Sequence, residues 1–320
     1  MATITDVSRL ANVSKATVSR VLSGTRGVRE ESRLAVLQAV DQLNYRPNAM
    51  ARSLATQATD CIGVILSARD TGRIATLLPL LERELAQAGR HLLVRFADSG
   101  EQQQNAVDEL LGGRCDAVLA IATGHPLHSD GCLLQIDGLT DSDQINLGYD
   151  FAFASESACR FLLGKGHRQI VLLTEQLLSP VGQQMLQGYQ LALQHQSLPY
   201  NRQLVLEYGN NPQALLGLLN RYLPFTALVV QHDGQAAEAM RLLREFNLQV
   251  PHDISLISLE GTPMAAHLNP PLTCIEYPAE QMAQEAVRLV VSQLEGLPLP
   301  APEQLRLTGR LIPRESVMAR

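Results

Sequence analysis

A seven-residue segment near the N-terminus combines groups that bind phosphate with groups that read base edges. Positions 14–20, Ser-Lys-Ala-Thr-Val-Ser-Arg, carry hydroxyl, ammonium and guanidinium groups. Hydroxyl groups and cations bind DNA phosphates, and a guanidinium group donates two hydrogen bonds to one guanine. We expect Arg20 to read guanine and Ala16 to contact a thymine methyl group, on a face completed by Lys15, Thr17 and Ser19. The alternative is a helical hairpin that only packs.

A helix must hold these side chains on one face, and the flanking residues predict one. Ser14 is a suitable N-cap for a helix over Lys15–Leu22, in which Val18 and Val21 face the core. Helices are also predicted over 6–11 and 30–44. Two short helices joined by a tight turn and followed by a bracing helix are typical of a helix-turn-helix domain, which we assign to residues 1–46.

The segment that follows predicts a hinge. Pro47 is suited to the first turn of a helix, and residues 48–55 supply about two further turns. A helix this short is mostly unfolded in water on its own, so we expect it to form only against a partner. Residues 47–60 are therefore assigned to a hinge helix and linker.

The distribution of charge separates residues 1–59 from the rest of the chain. Residues 1–59 contain eight basic and four acidic side chains, a net charge of +4. The whole chain has a formal charge of −6, which leaves −10 for the remainder. A small basic head on an acidic body predicts a polyanion-binding module joined to a domain of another kind. The alternative is a solvated basic face without a partner.

Residues 61–320 alternate short apolar runs with helical patterns. Strands are predicted over 62–66, 91–96, 117–121, 170–173, 227–230, 254–258 and 273–276. Helices are predicted over 74–88, 101–111, 154–163, 185–194, 235–246 and 280–294. Apolar strands of this kind belong to parallel sheets covered by helices on both faces. About 260 residues are more than a domain built on a single sheet usually contains, so we predict two linked α/β lobes with a central cleft.

Several classes of protein are disfavoured by what the sequence does not contain. The five cysteines have no metal-ligand spacing, and the N-terminal residues lack the pattern of a secretory signal, so we expect a cytoplasmic protein without disulfides. No phosphate-binding glycine loop or nucleophile elbow follows a predicted strand. His125 and His128 flank Pro126 without a third ligand and are interpreted as surface residues, and His167 as a structural residue. We predict no enzyme activity, cofactor, metal site or membrane segment.

At this point the sequence resembles the lactose/galactose-repressor family of bacterial transcriptional regulators. The motifs are Thr-Ile-Thr-Asp-Val at 3–7, Val-Ser-Lys-Ala-Thr-Val-Ser-Arg-Val-Leu at 13–22 and Tyr-Arg-Pro-Asn-Ala-Met-Ala-Arg-Ser-Leu at 45–54. In the body they are Gly-His-Arg-Gln-Ile at 166–170, Val-Pro-His-Asp-Ile-Ser-Leu-Ile at 250–257 and Pro-Pro-Leu-Thr at 270–273. The resemblance extends over essentially the whole chain. It implies a homodimer that binds palindromic operator DNA, and a periplasmic-binding-protein-like body that binds a small effector.

The resemblance also implies roles for individual residues of the head. Lys15, Ala16 and Arg20 match base-reading positions, and a second group, comprising Thr5, Ser14, Thr17 and Tyr45, lies near the DNA backbone. Leu54 matches the hinge-helix residue that is wedged into the minor groove, which bends the duplex by unstacking a base step.

Five positions in the body match effector-binding positions of the family, and four of them differ in residue type. Arg73 and Ile74 stand where an aromatic pair is common, Met185 replaces an arginine, and Glu260 replaces an aspartate, whereas Asp233 is unchanged. Arg73, with Arg69 nearby, suits an anionic ligand such as a phosphorylated sugar. In the alternative, Arg73 points to solvent and Met185 fills space. Loss of ligand response also remains open.

The sequence thus predicts a ligand-responsive, DNA-binding repressor of a carbohydrate-utilisation operon, with a sugar or phosphorylated sugar as effector. A solute-binding protein of a transporter is the first rival, disfavoured by the basic head and the absence of an export signal. A sugar-processing enzyme is the second, and it would require an acid/base pair in the cleft.

Overall fold

The computed structural model describes two compact units, residues 1–60 and residues 61–320. The described residues are 2–22, 27–45, 58–68, 71–138, 145–209, 213–300 and 305–320, without the side chains of Thr71 and Arg73. The predicted hinge helix over 48–55, including Leu54, lies outside them, as do Arg46 and Arg69.

The described part of the head consists of three helices around a small apolar core. They are α1 (Ile4–Leu10), α2 (Lys15–Leu22) and α3 (Glu30–Gln42). Val7, Val18 and Val36, one from each helix, are fully buried against one another with Ala11 and Ala39. The predicted bounds of α2 are confirmed. The predicted start of α1 was two residues too late, because Thr3 and Asp6 form a reciprocal capping box that starts the helix at Ile4.

The body alternates strands and helices in the predicted way. Its strands are β1 (Cys61–Leu66), β2 (His91–Phe96), β3 (Ala117–Ile121), β4 (Cys132–Ile136), β5 (Asn146–Tyr149), β6 (Ile170–Thr174), β7 (Val205–Glu207), β8 (Ala227–Val230), β9 (Ser255–Ser258), β10 (Thr273–Glu276), β11 (Arg306–Leu307) and β12 (Arg310–Ile312). Its helices are α4 (Thr71–Gln87), α5 (Gly100–Leu111), α6 (Phe151–Gly164), α7 (Pro180–His195), α8 (Ala214–Asn220), α9 (Asp233–Glu245), α10 (Pro263–His267) and α11 (Ala279–Leu294).

These elements form two lobes, each built on a six-stranded sheet. The N-terminal lobe has the strand order β11-β5-β4-β3-β1-β2, and all its described pairings are parallel. The C-terminal lobe has the order β12-β10-β9-β8-β6-β7. The predicted two-lobed parallel architecture is confirmed, with one correction: β12 runs antiparallel to β10.

The chain passes between the lobes three times, and aromatic rings pack where it does so. β5 leads to α6, β10 leads to α11, and β11 leads to β12. Tyr149 makes edge-to-face contacts with Phe151 and Tyr277, at ring-centroid distances of 4.7 and 5.1 Å. A Cβ on Gly309 would lie 2.6 Å from the Tyr149 hydroxyl and from the carbonyl oxygen of Glu276, so only glycine fits between the crossings.

Two helices in the body begin earlier than predicted because their capping side chains were missed. Asp150 Oδ1 accepts a hydrogen bond from the Phe153 amide and starts α6 three residues before the predicted position. Ser179 Oγ accepts from the Gly182 amide, so α7 begins at Pro180 rather than Met185. Polar residues that precede an apolar run were therefore the missed signal.

The unpredicted strands have polar or very short sequences. The polar side chain of Gln135 interrupts the apolar run of β4, but it is buried and accepts a hydrogen bond from the Thr123 hydroxyl. β5 contains Gly148, and β7 and β11 have only three and two residues. None of the described helices is both long enough and apolar enough to cross a membrane.

Candidate DNA-reading helix and ligand cavity

Helix α2 is held at both its start and its centre. Ser14 Oγ accepts a hydrogen bond from the Thr17 amide at 3.1 Å and lies 2.9 Å from the Thr17 hydroxyl. Val18 in the middle of the helix is fully buried. The cap satisfies an amide that the helix leaves unpaired, and the buried valine fixes which face points outward.

The outward face presents the residues that the sequence predicted. Lys15, Ala16, Ser19 and Arg20 are exposed. Thr17 differs from the prediction, because it is only half-exposed and its hydroxyl faces Ser14. The face therefore offers one ammonium, one guanidinium, one hydroxyl and one methyl group, a set suited to phosphates and base edges.

Other predicted DNA contacts lie at the margins of the head. Thr5, in the first turn of α1, is half-exposed. Tyr45 is half-buried and packs its ring against the head core. Hydrogen bonds from the Thr3 hydroxyl and amide hold the pKa of the nearby Asp6 carboxyl below its usual value, so this group stays charged. Leu54 lies outside the described residues.

A cavity of about 820 Å³ lies in the body, bordered by both lobes. The N-terminal lobe contributes one face of α4 and the start of α11, and the C-terminal lobe contributes the loops after β8, β9 and β10. The polar and small residues that line it include Gly72, Thr76, Gln231, His232, Glu260, Thr262, Glu276, Tyr277, Arg310 and Arg314. Its walls therefore mix carboxylate, guanidinium, imidazole and amide groups.

Of the four predicted effector residues whose side chains the structure describes, Glu260 is the one that lines this cavity. Its Oε2 accepts a hydrogen bond from the Asp233 amide at 2.8 Å, and its Oε1 lies 3.3 Å from His232 Nδ1. His232 Nε2 lies 3.5 Å from Glu175 Oε2. The imidazole thus lies between two carboxylates, and it is half-buried at the start of α9.

Asp233 lies behind the cavity wall and does not line the cavity, so its contact with an effector stays a prediction. It is fully buried, and its carboxylate accepts hydrogen bonds from the Ser258 hydroxyl at 2.5 Å and from the amide and hydroxyl of Thr262 at 2.6 and 2.7 Å. The Gly261 amide is a further donor at 3.3 Å. These contacts shape the loop that presents Glu260.

Met185 and Ile74 do not line the cavity either. Met185 is fully buried in the core, where its carbonyl accepts a hydrogen bond from Ser155, and Ile74 is half-buried against the same core. These positions agree with the alternative in which Met185 fills space. The side chain of Arg73 is outside the described atoms, and Arg69 is outside the described residues, so the anionic-ligand hypothesis remains a prediction.

A second, smaller cavity of about 170 Å³ lies beside the packed rings of Tyr149 and Phe151, where the chain crosses between the lobes. Asp137 lines it and accepts hydrogen bonds from the Tyr277 hydroxyl at 2.9 Å and from the Tyr149 amide at 2.6 Å. Tyr149 and Asn146 also line this cavity, and the Tyr149 hydroxyl and Asn146 Oδ1 are buried without a hydrogen-bond partner. Burial raises the pKa of the Tyr149 hydroxyl well above its usual value.

The sequence missed His232, Tyr277 and Arg310 as cavity residues. His232 follows the end of β8 and Tyr277 directly follows β10, whereas Arg310 is the first residue of β12. The carboxyl ends of parallel strands are where α/β proteins bind ligands, so this position was the available signal for His232 and Tyr277. Among the described residues, no cluster of three or more His, Cys, Asp or Glu side chains is arranged to hold a metal ion.

Comparison with protein families assigns both units. A model described as bacterial regulatory proteins of the lacI family matches residues 3–48. A model described as a periplasmic binding protein-like domain matches residues 159–317.

Curated relatives match nearly the full length. The HTH-type transcriptional regulator GalR of Escherichia coli (strain K12) is 33% identical, covering 94% of this chain and 91% of GalR. The regulator AscG of the same organism is 31% identical, and the match covers 100% of this chain and 99% of AscG. The ribose operon repressor of Escherichia coli (strain K12) is 30% identical, and the match covers 99% of this chain and 100% of the repressor.

Solved structures show the same architecture. The Lac repressor dimer bound to operator and the anti-inducer ONPF superimposes with a TM-score of 0.85 at 24% identity, over 99% of each chain, which supports the fold. The transcriptional regulator CelR in complex with cellobiose gives a TM-score of 0.70 at 26% identity, over 99% of this chain and 100% of CelR.

Proposed function

This chain belongs to the LacI family of bacterial regulatory proteins, and we propose that it is a ligand-responsive repressor of a carbohydrate-utilisation operon. It acts in the cytoplasm as a homodimer on palindromic operator DNA. Its effector is a sugar or a phosphorylated sugar. Ligand binding in the body changes the affinity of the head for DNA.

The observation that supports DNA binding most strongly is the outward face of α2. Lys15, Ala16, Ser19 and Arg20 are exposed together on a helix that Val18 anchors and Ser14 caps. In a helix-turn-helix domain the second helix enters the major groove and its N-terminal residues reach base edges. A head that only packed would not require a cation at each end of one exposed helical face.

A two-fold symmetric dimer is expected because one recognition helix contacts few base pairs. One recognition helix reads only a few base pairs, so a single head gives little discrimination within a genome. Two heads on a two-fold axis read both halves of a palindrome and multiply their specificity. The relatives include a dimer bound to operator, and we extend that arrangement to this chain as part of the proposal.

The cavity between the lobes supports the proposed effector. A volume of about 820 Å³ is ample for a mono- or disaccharide, and the walls offer acceptors and donors from both lobes. CelR, a structural relative, is named with cellobiose, and another LacI-family relative from Escherichia coli is described as sugar-binding and complexed with phosphate. A ligand that contacts both lobes changes the balance between their arrangements.

DNA selection from a random-sequence library tests the DNA-binding part of the proposal. Full-length protein should enrich palindromic sites, and the Lys15→Ala/Arg20→Ala double variant should fail to enrich them. The double variant Arg202→Ala/Arg221→Ala, which removes two exposed cations of the body, is the matched control and should enrich the parent's sites. Loss of enrichment in both double variants, or in neither, would contradict the assignment to α2.

Calorimetric titration with free and phosphorylated sugars tests the effector part. A binding sugar should also change operator affinity. A solute-binding protein would bind a sugar without affinity for any DNA, and a sugar-processing enzyme would convert it during the titration, so the same two measurements separate the rival functions.

A further inference from the structure

The carboxylate of Glu260 contacts both lobes of the body. Glu260 follows β9 and belongs to the C-terminal lobe, where its Oε2 accepts a hydrogen bond from the Asp233 amide at 2.8 Å. Its Oε1 lies 3.3 Å from His232 Nδ1. The carboxylate is thus fixed at the start of α9, where the helix dipole favours a negative charge.

The same Oε1 atom lies directly against Gly72 in the first turn of α4, which belongs to the N-terminal lobe. A Cβ placed on Gly72 would overlap Oε1, and the next nearest atoms to that Cβ are also those of the Glu260 carboxylate. The main chain at Gly72 therefore approaches the carboxylate more closely than any residue with a side chain would permit. Both residues line the 820 Å³ cavity.

We propose that Glu260 is an interlobe clamp, which holds the ligand-free lobes together through Gly72 and must be displaced when a ligand enters the cavity. This inference rests on the proposed function only for its ligand. The carboxylate lies at the positive N-terminal ends of two helices, one from each lobe, so its position favours the arrangement in which those ends are close.

Two features of the sequence fit a contact between Glu260 and Gly72. The resemblance places aspartate at the position of Glu260, and glutamate reaches one methylene further. The residue opposite is glycine, which leaves room for that longer side chain. A ligand that separates Glu260 from Gly72 exchanges one interlobe contact for its own contacts, and this exchange couples occupancy to lobe arrangement.

Hydrogen exchange of the full-length, ligand-free protein tests the clamp without DNA or effector. Gly72→Ala should push the carboxylate away and raise the exchange rates of cavity-wall amides in residues 75–80 and 259–263 about threefold, because local opening becomes easier. Alanine favours a helix more than glycine does, so a purely local effect on α4 would slow exchange instead. The opposed signs make the result decisive.

A double-mutant comparison identifies Glu260 as the group displaced. Glu260→Ala alone should raise the same rates, and adding Gly72→Ala to it should cause no further increase, because the clamp is already absent. Gly217→Ala is the matched control, since a Cβ there meets no atom within 4 Å. Glu260→Gln keeps the shape and removes the charge, and it should give an intermediate rate.

The proposal is overturned if Gly72→Ala leaves the exchange of the cavity wall unchanged or slower, or if it raises exchange equally with and without Glu260. Because neither DNA nor sugar enters this experiment, failure of the clamp leaves operator binding untouched. Conversely, a protein that selects no operator would still give a definite answer on the clamp.

Discussion

His167 Nε2 lies 3.0 Å from the carbonyl oxygen of Met318, a residue 151 positions further along the chain. A carbonyl only accepts, so Nε2 holds the proton, and Nδ1 accepts from the Thr226 hydroxyl at 2.9 Å. The ring is almost completely buried, at 1% exposure. A neutral imidazole thereby joins the C-terminal residues to the C-terminal lobe.

This arrangement predicts acid sensitivity. Burial lowers the pKa of His167 below its usual value of 6.5, so the unfolded chain binds the proton more readily than the folded one. The free energy of unfolding should therefore be highest above pH 6.5 and fall as the pH drops below that value. Urea unfolding between pH 5 and 8 measures this dependence. His167→Gln should flatten the part of the profile below pH 6.5, whereas His252→Gln, at an exposed position, should not.

Asp233 predicts a loss of stability that is independent of any ligand. Asp233→Ala leaves the buried Ser258 hydroxyl and the half-buried amide and hydroxyl of Thr262 without their acceptor, so we expect a loss of about 1–3 kcal/mol in the free energy of unfolding. Glu245→Ala, on the exposed side of the same helix, should change the free energy of unfolding by less than about 0.5 kcal/mol. Equal effects of the two substitutions would contradict the role assigned to Asp233.

Arg20 predicts a change in sequence preference. If its guanidinium reads a guanine, Arg20→Ala should cost about 1–3 kcal/mol in operator affinity and relax the preference at one position of each half-site. Titration of single-base operator variants measures both effects. Uniform weakening over all sequences would instead place Arg20 on a phosphate. Arg221→Ala should leave the affinities unchanged.

The basic head predicts a steep dependence of DNA affinity on salt. A dimer that neutralises about eight phosphates should lose affinity with a slope of about −7 in log K against log salt concentration. The body is acidic and should contribute little, so residues 1–59 should determine this slope. Fluorescence anisotropy at several potassium concentrations measures it, and a slope near zero would exclude a phosphate-binding head.

Substitution of Leu54 tests whether the hinge couples ligand binding in the body to DNA binding by the head. Leu54→Ala removes the proposed minor-groove wedge while it keeps helix propensity, so specific operator binding and DNA bending should both decrease. Dimerisation and sugar affinity without DNA should remain at parent values. Circular-permutation gel shifts report the bend angle. A variant that bends and binds operator like the parent would refute a hinge that connects ligand to DNA.

The sequence predicted the head better than the cavity, and the reason is physical. The start of α2 depends on Ser14 and on the spacing of Val18 and Val21, which are local properties. The role of Asp233 depends on donors 25 to 29 residues away, in a loop that only the folded sheet brings close. Likewise, a methionine at position 185 could line the cavity or fill the hydrophobic core, and only the tertiary structure shows that it lies in the core.

The two ends of the chain differ in when they can fold during synthesis. The described core of the head uses only residues between Ile4 and Tyr45, so it can form soon after that segment leaves the ribosome. The N-terminal lobe, by contrast, acquires its edge strand β11 and its covering helix α11 from residues 279–307. Its sheet therefore remains incomplete until almost the whole polypeptide has been translated. During that interval the core of the head can already be formed while the sheet of the N-terminal lobe still lacks its edge strand and its covering helix.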